Sequence, residues 1–198
     1  MALNISLDNL LSILKYDQND PLIFSTSLFL VLFFVFLVFY NLLNKNKNAR
    51  LFLIILFSLY FYYKAAGFYF VILIISAVAN FLFGKWIGIT ENFTKKRLVL
   101  LLAIIVNLGM LGYFKYTNFV IQIINDIRTA QINPLEIFLP IGISFYTFKS
   151  LNYVFDIYFD TLKPTNSLRD FSLYVFFFPN ILAGPIDRAS EFLPQIDK

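Results

Sequence analysis

Residues 22–43, LIFSTSLFLVLFFVFLVFYNLL, decide what kind of molecule this is. The run carries no charge, and about 20 apolar residues suffice to cross a hydrocarbon core ~30 Å thick. It has neither the short apolar core nor the small-residue cleavage site of a secretory signal peptide, so it reads as a permanent span. The rest of the chain has the same character. Of its 198 residues, 59% are hydrophobic and only 14% charged, and the mean hydropathy is +0.73. A soluble domain is nearer half apolar and a quarter charged. Twenty-six Phe and twelve Tyr add bulky lipid-facing and interfacial surface. The expected class is therefore an all-α polytopic membrane protein, with the lipid bilayer as its first partner.

Working outward from that run, further spans are expected at about 51–63, 68–83 and 98–114, with Lys64, Ala65, Ala66 and Gly67 dividing the second from the third. Thirteen residues, 51–63, rise only ~20 Å as a helix, so that piece needs an interfacial tyrosine end or shelter from neighbours. Short basic loops follow the spans, Lys45, Lys47 and Arg50 in one and Lys85, Lys95, Lys96 and Arg97 in the other. Both fall on the same side when crossings are counted, opposite the modestly acidic N-terminal segment. The positive-inside rule then puts loops 44–50 and 84–97 in the cytoplasm and the N-terminus outside, as expected of a multi-pass protein of the cytoplasmic (inner) membrane. The net charge of +4 is accounted for by these loops, and no nucleic-acid partner is expected. No linker divides the chain, so residues 1–198 are read as one membrane domain.

The remaining segments are less simple. Residues 118–131 place Val120, Ile123, Ile124 and Ile127 on one helical face and Asn118, Gln122, Asn125 and Thr129 on another. That 3.6-residue period marks an amphipathic helix, lying in the interface or lining a hydrated cavity. Residues 139–158, LPIGISFYTFKSLNYVFDIY, are apolar yet carry a stripe of Tyr146, Lys149, Tyr153 and Asp156 at offsets of three and four. An ionisable group at bilayer depth is costly unless paired or hydrated. Two readings stay open: a Lys149–Asp156 clamp, bridged through the Tyr153 hydroxyl, or the lining of a substrate path. Residues 171–183 are too short to cross and are broken by Pro179, the pattern of a re-entrant or half-buried helix. Asp187 and Arg188 are candidates to anchor its end at the interface. Pro140, Gly142, Pro179, Gly184 and Pro185 are the candidates for shaping the backbone.

The absences restrict the chemistry. With no Cys and no His, the chain offers no disulfide, thiol nucleophile, imidazole base or Cys/His metal site, and no metal is expected.

The pair LPIGISFYTF (139–148) and FFFPNILAGPIDRASEFLPQI (176–196) resembles the signature region of the membrane-bound O-acyltransferase family. The bacterial branch that acetylates alginate and related exopolysaccharides, or D-alanylates teichoic acids, is the most similar. LFSLYFYYKAAGFYF (56–70), NFLFGKWIG (80–88) and NLGMLGYFKYTNF (107–119) extend the resemblance over most of the chain. It implies the N-terminal part of a helical bundle with short or re-entrant helices around a thin, funnelled centre. It also implies an acyl thioester donor (acetyl-CoA or an acyl carrier), a polysaccharide acceptor, extracytoplasmic partner proteins, and a membrane-embedded histidine that this chain lacks. On that reading the chain is an incomplete enzyme with no catalytic residue of its own and no bound cofactor; a transporter segment or a non-catalytic scaffold is the alternative. Two departures stand out. Relatives commonly hold Gln where Lys149 stands, and a basic residue where Phe159-Asp160 follow Asp156-Ile157-Tyr158.

Overall fold

The computed structural model describes residues 14–17, 21–128, 131–181, 184 and 187–196. All regular structure among them is helical: α1 Ser27–Leu42, α2 Lys47–Ala66, α3 Phe70–Ile89, α4 Phe93–Arg128, α5 Ile143–Tyr158, α6 Leu168–Phe176, α7 Phe178–Ile181 and α8 Ala189–Ile196. Two apolar stretches, Lys47–Ile89 (α2, a 3-10 turn and α3) and Phe93–Arg128 (α4), are long enough to cross a membrane, and α1 is a shorter apolar helix. Their outward faces are apolar as well. Leu30, Phe34, Leu56, Ile75, Leu82 and Ile105 are each more than half exposed, which suits a protein whose solvent is hydrocarbon.

Local chemistry sets the helix ends, and several differ from the sequence-based spans. Residues 22–26 do not join α1. The Thr26 hydroxyl accepts from Phe29 N at 3.2 Å as the N-cap. Leu22 is buried and its N–H donates to Lys64 O. The helix expected at 51–63 runs instead from Lys47 to Ala66, capped by Asn46. Its twenty residues span about 30 Å, so the expected shortfall disappears. Lys64 does not break it. Its ammonium donates to Lys15 O at 2.6 Å, while the chain turns only at Gly67, where φ is 62° and a side chain would be strained.

The break expected after residue 114 is also absent: residues 93–128 form one 36-residue helix. The amphipathic segment is its far end, and Thr129, Ala130 and Pro185 lie outside the described residues. The polar face of that end has a use that neither open reading foresaw. Asn118 exchanges two hydrogen bonds with Leu135 (both 2.9 Å), and Asn125 does the same with Ile132 (2.8 and 3.0 Å). Seven helical residues rise about 10.5 Å and three extended residues about 10 Å. The two amides therefore clip the returning chain antiparallel along the helix.

α5 sits at the centre, packed against α3, α4, α6 and α8. Its entry is fixed by Gly142, at φ 77°, and by the Tyr62 hydroxyl donating to Ile141 O at 2.8 Å. Gly84 lets α3 approach closely: a Cβ there would lie 2.4 Å from Tyr153 Cε1 and 2.9 Å from Ile157 Cδ1. Asn80 and Asn107 donate to each other's side-chain oxygens across the α3–α4 contact, at 3.0 and 2.8 Å. Many phenylalanines face inward. Phe29, Phe33, Phe36, Phe57, Phe61 and Phe178 pack with ring centroids 4.6–6.5 Å apart, joining α1, α2 and α7. α6 starts at Leu168, with Ser167 as its cap, and stops at Phe176. Three residues later Pro179 has no N–H to continue the ladder, and the break falls at Phe177 (ψ 109°).

Candidate functional site

The polar stripe of α5 points into the protein. Tyr146, Lys149 and Tyr153 are at most 1% exposed, and Asp156 is half-buried. Their roles diverge. The Tyr153 hydroxyl accepts from Thr165 N at 3.2 Å, and its ring lies 4.4 Å from that of Phe171. Asp156 Oδ2 accepts from Ser190 N at 3.4 Å, one turn beyond Asn152 Oδ1, which accepts from Ala189 N at 3.1 Å. These two side chains serve as N-terminal caps for α8, supplied from another helix. Amides at a helix start have no intrahelical acceptor, and a carboxylate there also meets the positive end of the helix dipole.

The Lys149–Asp156 clamp is therefore not formed. Lys149 Nζ has no hydrogen-bond partner among the described residues. It lies 4.7 Å from the centroid of Tyr174 and 5.8 Å from that of Phe192, and its favourable electrostatic partner is Asp187. Aromatic faces attract a cation but take none of its three N–H donors. Thr147 Oγ1 and Ser150 Oγ are likewise buried and unpartnered among the described residues, while Tyr146 OH interacts with the Tyr62 hydroxyl. Three polar atoms without a partner among the described residues, within four residues of one helix, are above what native interiors commonly leave. Chemically this is a desolvated ammonium on a helix that also carries unpartnered buried hydroxyls, able to hold a developing negative charge or the polar end of a substrate.

Around Lys149 the chain is braced by residues outside the stripe. The Tyr174 hydroxyl lies within hydrogen-bonding distance of Lys149 O (3.2 Å) and Asp187 O (2.9 Å). Asn180 Nδ2 donates to Asp187 Oδ2. Asp187 is thus tied inward, whereas its neighbour Arg188 is exposed. At Gly184 a Cβ would come within 2.4 Å of Asn180 Cα, so glycine is required for that close approach. Pro179 stands in the short α7, and Pro140 is buried at the entry to α5. Tyr174, Asn152 and Asn180 were not singled out by periodicity, because their partners lie 13, 37 and 7 residues away in sequence. A cleft of about 450 Å³ flanks α5, and it is lined by Phe148, Leu151, Asn152 and Phe155 with Ile104 and Leu108 of α4. The stripe itself faces the other way. No group of three or more His, Cys, Asp or Glu that could hold a metal occurs among the described residues.

Comparison with known proteins gives consistent relatives. The chain is 35% identical over 186 residues to a probable alginate O-acetylase of Pseudomonas aeruginosa, matching 89% of this chain and 35% of that protein. It is 34% identical over 186 residues to the corresponding protein of Azotobacter vinelandii (89% and 36%). Against the peptidoglycan O-acetyltransferase of Helicobacter pylori it is 33% identical over 215 aligned positions (94% and 41%). The chain spans little more than a third of the length of these relatives. No family model and no solved structure matches it.

Proposed function

We propose that this chain, which belongs to the membrane-bound O-acyltransferase family, is part of an inner-membrane enzyme that transfers an acetyl group to hydroxyls of a secreted or cell-surface polysaccharide. The observation that carries the reading is its similarity, across 89% of its length, to proteins named O-acetylases. The names of these relatives do not favour a transporter or a scaffold. The donor is a cytoplasmic acyl thioester, either acetyl-CoA or an acyl carrier. The acceptor hydroxyl loses its proton to a general base, attacks the thioester carbonyl and expels the thiolate, leaving an ester on the sugar. The chain has no histidine, and the family resemblance implies that the base is a membrane-embedded histidine supplied elsewhere in the enzyme. Extracytoplasmic partners present the polysaccharide. The basic helix ends and short turns within 44–50 and 84–97 face the cytoplasm, and the N-terminus lies outside.

This chain contributes walls and one charge. The unpartnered donors around Lys149 support a role in holding the polar end of a substrate once the rest of the enzyme surrounds them. A buried lysine without acceptors is a standing cost, tolerated where a ligand or another segment supplies the acceptor. The test is ester-linked acetate released from polysaccharide by cells carrying the gene, with and without Lys149→Met. Loss of one charge-assisted hydrogen bond lowers transfer by about 10- to 100-fold, while the unfolding temperature does not fall because an uncompensated ammonium has gone. Undiminished acetylation in Lys149→Met removes the residue from the site. Turnover by the isolated 198-residue chain would show that no further base is needed.

A further inference from the structure

A cleft of about 290 Å³ opens between the last turns of α3 and the first turns of α4, lined by Trp86, Lys95, Leu98, Val99 and Leu102. The four α4 residues stand at i, i+3, i+4 and i+7, so they share one helical face that passes from a charge to hydrocarbon. Trp86, Leu98 and Leu102 are exposed. Two donors at the mouth are free. Among the described residues neither the Lys95 ammonium nor the Trp86 indole N–H has a hydrogen-bond or ion-pair partner. Glu91 is the one acidic residue within 84–97, and it does not pair with Lys95. The neighbouring bases are engaged elsewhere: Lys96 Nζ lies 2.9 Å from Asp160 Oδ1, and Lys85 Nζ 4.9 Å from the centre of the Phe81 ring. One apolar stretch long enough to cross a membrane ends at Ile89 and the next begins at Phe93. Trp86 and Lys95 therefore sit at headgroup depth, where Trp is favoured. Leu98 and Leu102 lie beneath them, since α4 rises about 10.5 Å from Lys95 to Leu102.

We propose that this cleft holds one anionic phospholipid, its phosphate against the Lys95 ammonium and the Trp86 N–H and an acyl chain along Leu98 and Leu102. A soluble phosphate would engage the two donors and leave the leucines uncovered. A neutral lipid would cover the leucines and leave the ammonium without an acceptor. Residues 85–97 carry four bases against Glu91 alone, so a headgroup of net negative charge is preferred to a zwitterionic one, by about fivefold for the one free lysine of the cleft.

The natural full-length protein, reconstituted in phosphatidylcholine nanodiscs with graded phosphatidylglycerol, tests this by native mass spectrometry of retained lipid. The expected result is one phosphatidylglycerol held in preference to phosphatidylcholine, bound about fivefold more weakly in Lys95→Gln. Trp86→Phe keeps an aromatic ring and removes only the N–H, and should also bind about fivefold more weakly. Both side chains are exposed, so neither change removes core packing. The control Lys45→Gln, which removes an exposed base from the turn between α1 and α2, should bind as the unmodified protein does. Equal weakening in the control would mean a diffuse surface charge and overturns the proposal. So does unchanged binding in both cleft variants, or the absence of any retained phosphatidylglycerol, which would mean that another part of the enzyme fills the cleft. Displacement of the lipid by millimolar inorganic phosphate would mark a plain anion site and overturns it as well.

Discussion

Replacing Gly84 with alanine probes the packing that holds α5 in place. The new Cβ would sit 2.4 Å from Tyr153 Cε1, 2.9 Å from its Cζ and 2.9 Å from Ile157 Cδ1. Ordinary carbon contacts begin near 3.5 Å, so about 1 Å of movement is required. Tyr153 cannot give way freely. It is fully buried, its hydroxyl accepts from Thr165 N, and its ring rests on Phe171. Overpacking of this kind costs about 1–3 kcal/mol, and losing the hydroxyl's hydrogen bond adds about 1 kcal/mol. A total of about 2–4 kcal/mol corresponds to a fall in unfolding temperature of roughly 5–12 °C for a chain of this size. Thermal unfolding in detergent, followed by loss of the monomer peak in size-exclusion chromatography, measures it. The decisive comparison is a double-mutant cycle with Tyr153→Leu, which removes the obstructing ring. Gly84→Ala should then cost little more than Tyr153→Leu alone. If its cost is the same in both backgrounds, the ring is not what requires glycine.

Two further perturbations follow from buried polar pairs. Asn80→Leu leaves Asn107 without its reciprocal partner and should destabilise the protein by about 1–3 kcal/mol, whereas Asn80→Leu/Asn107→Leu should recover most of that loss; thermal unfolding of the three variants checks it, and a double variant as unstable as the worse single one would refute it. Asn152→Ala and Asp156→Ala each remove an acceptor from the start of α8, at about 1 kcal/mol apiece, and should speed hydrogen exchange at Ala189 and Ser190 about fivefold while leaving α3 unchanged.

The sequence by itself determined the class of the molecule, because length and hydropathy are properties of a run and need no partner. Within 22–43 the helix occupies Ser27–Leu42, the apolar runs after it form the cores of α2, α3 and α4, and LPIGISFYTF carries the family likeness. Helix ends were less legible. Whether Lys64 interrupts a helix depends on a carbonyl 49 residues away, and whether residues 115–117 break one depends on packing that no local window contains. Periodicity put Tyr146, Lys149, Tyr153 and Asp156 on one stripe, but a stripe fixes only which way side chains point from their own axis. Tertiary structure decided what each one meets. Asp156 meets the start of α8 and Tyr153 the 165 amide, while Lys149 meets two aromatic faces that attract its charge and take none of its hydrogen bonds. A hydrogen bond needs its acceptor within about 3.5 Å, a condition set by how helices dock, and that is why the clamp expected from spacing along one helix gave way to contacts between several.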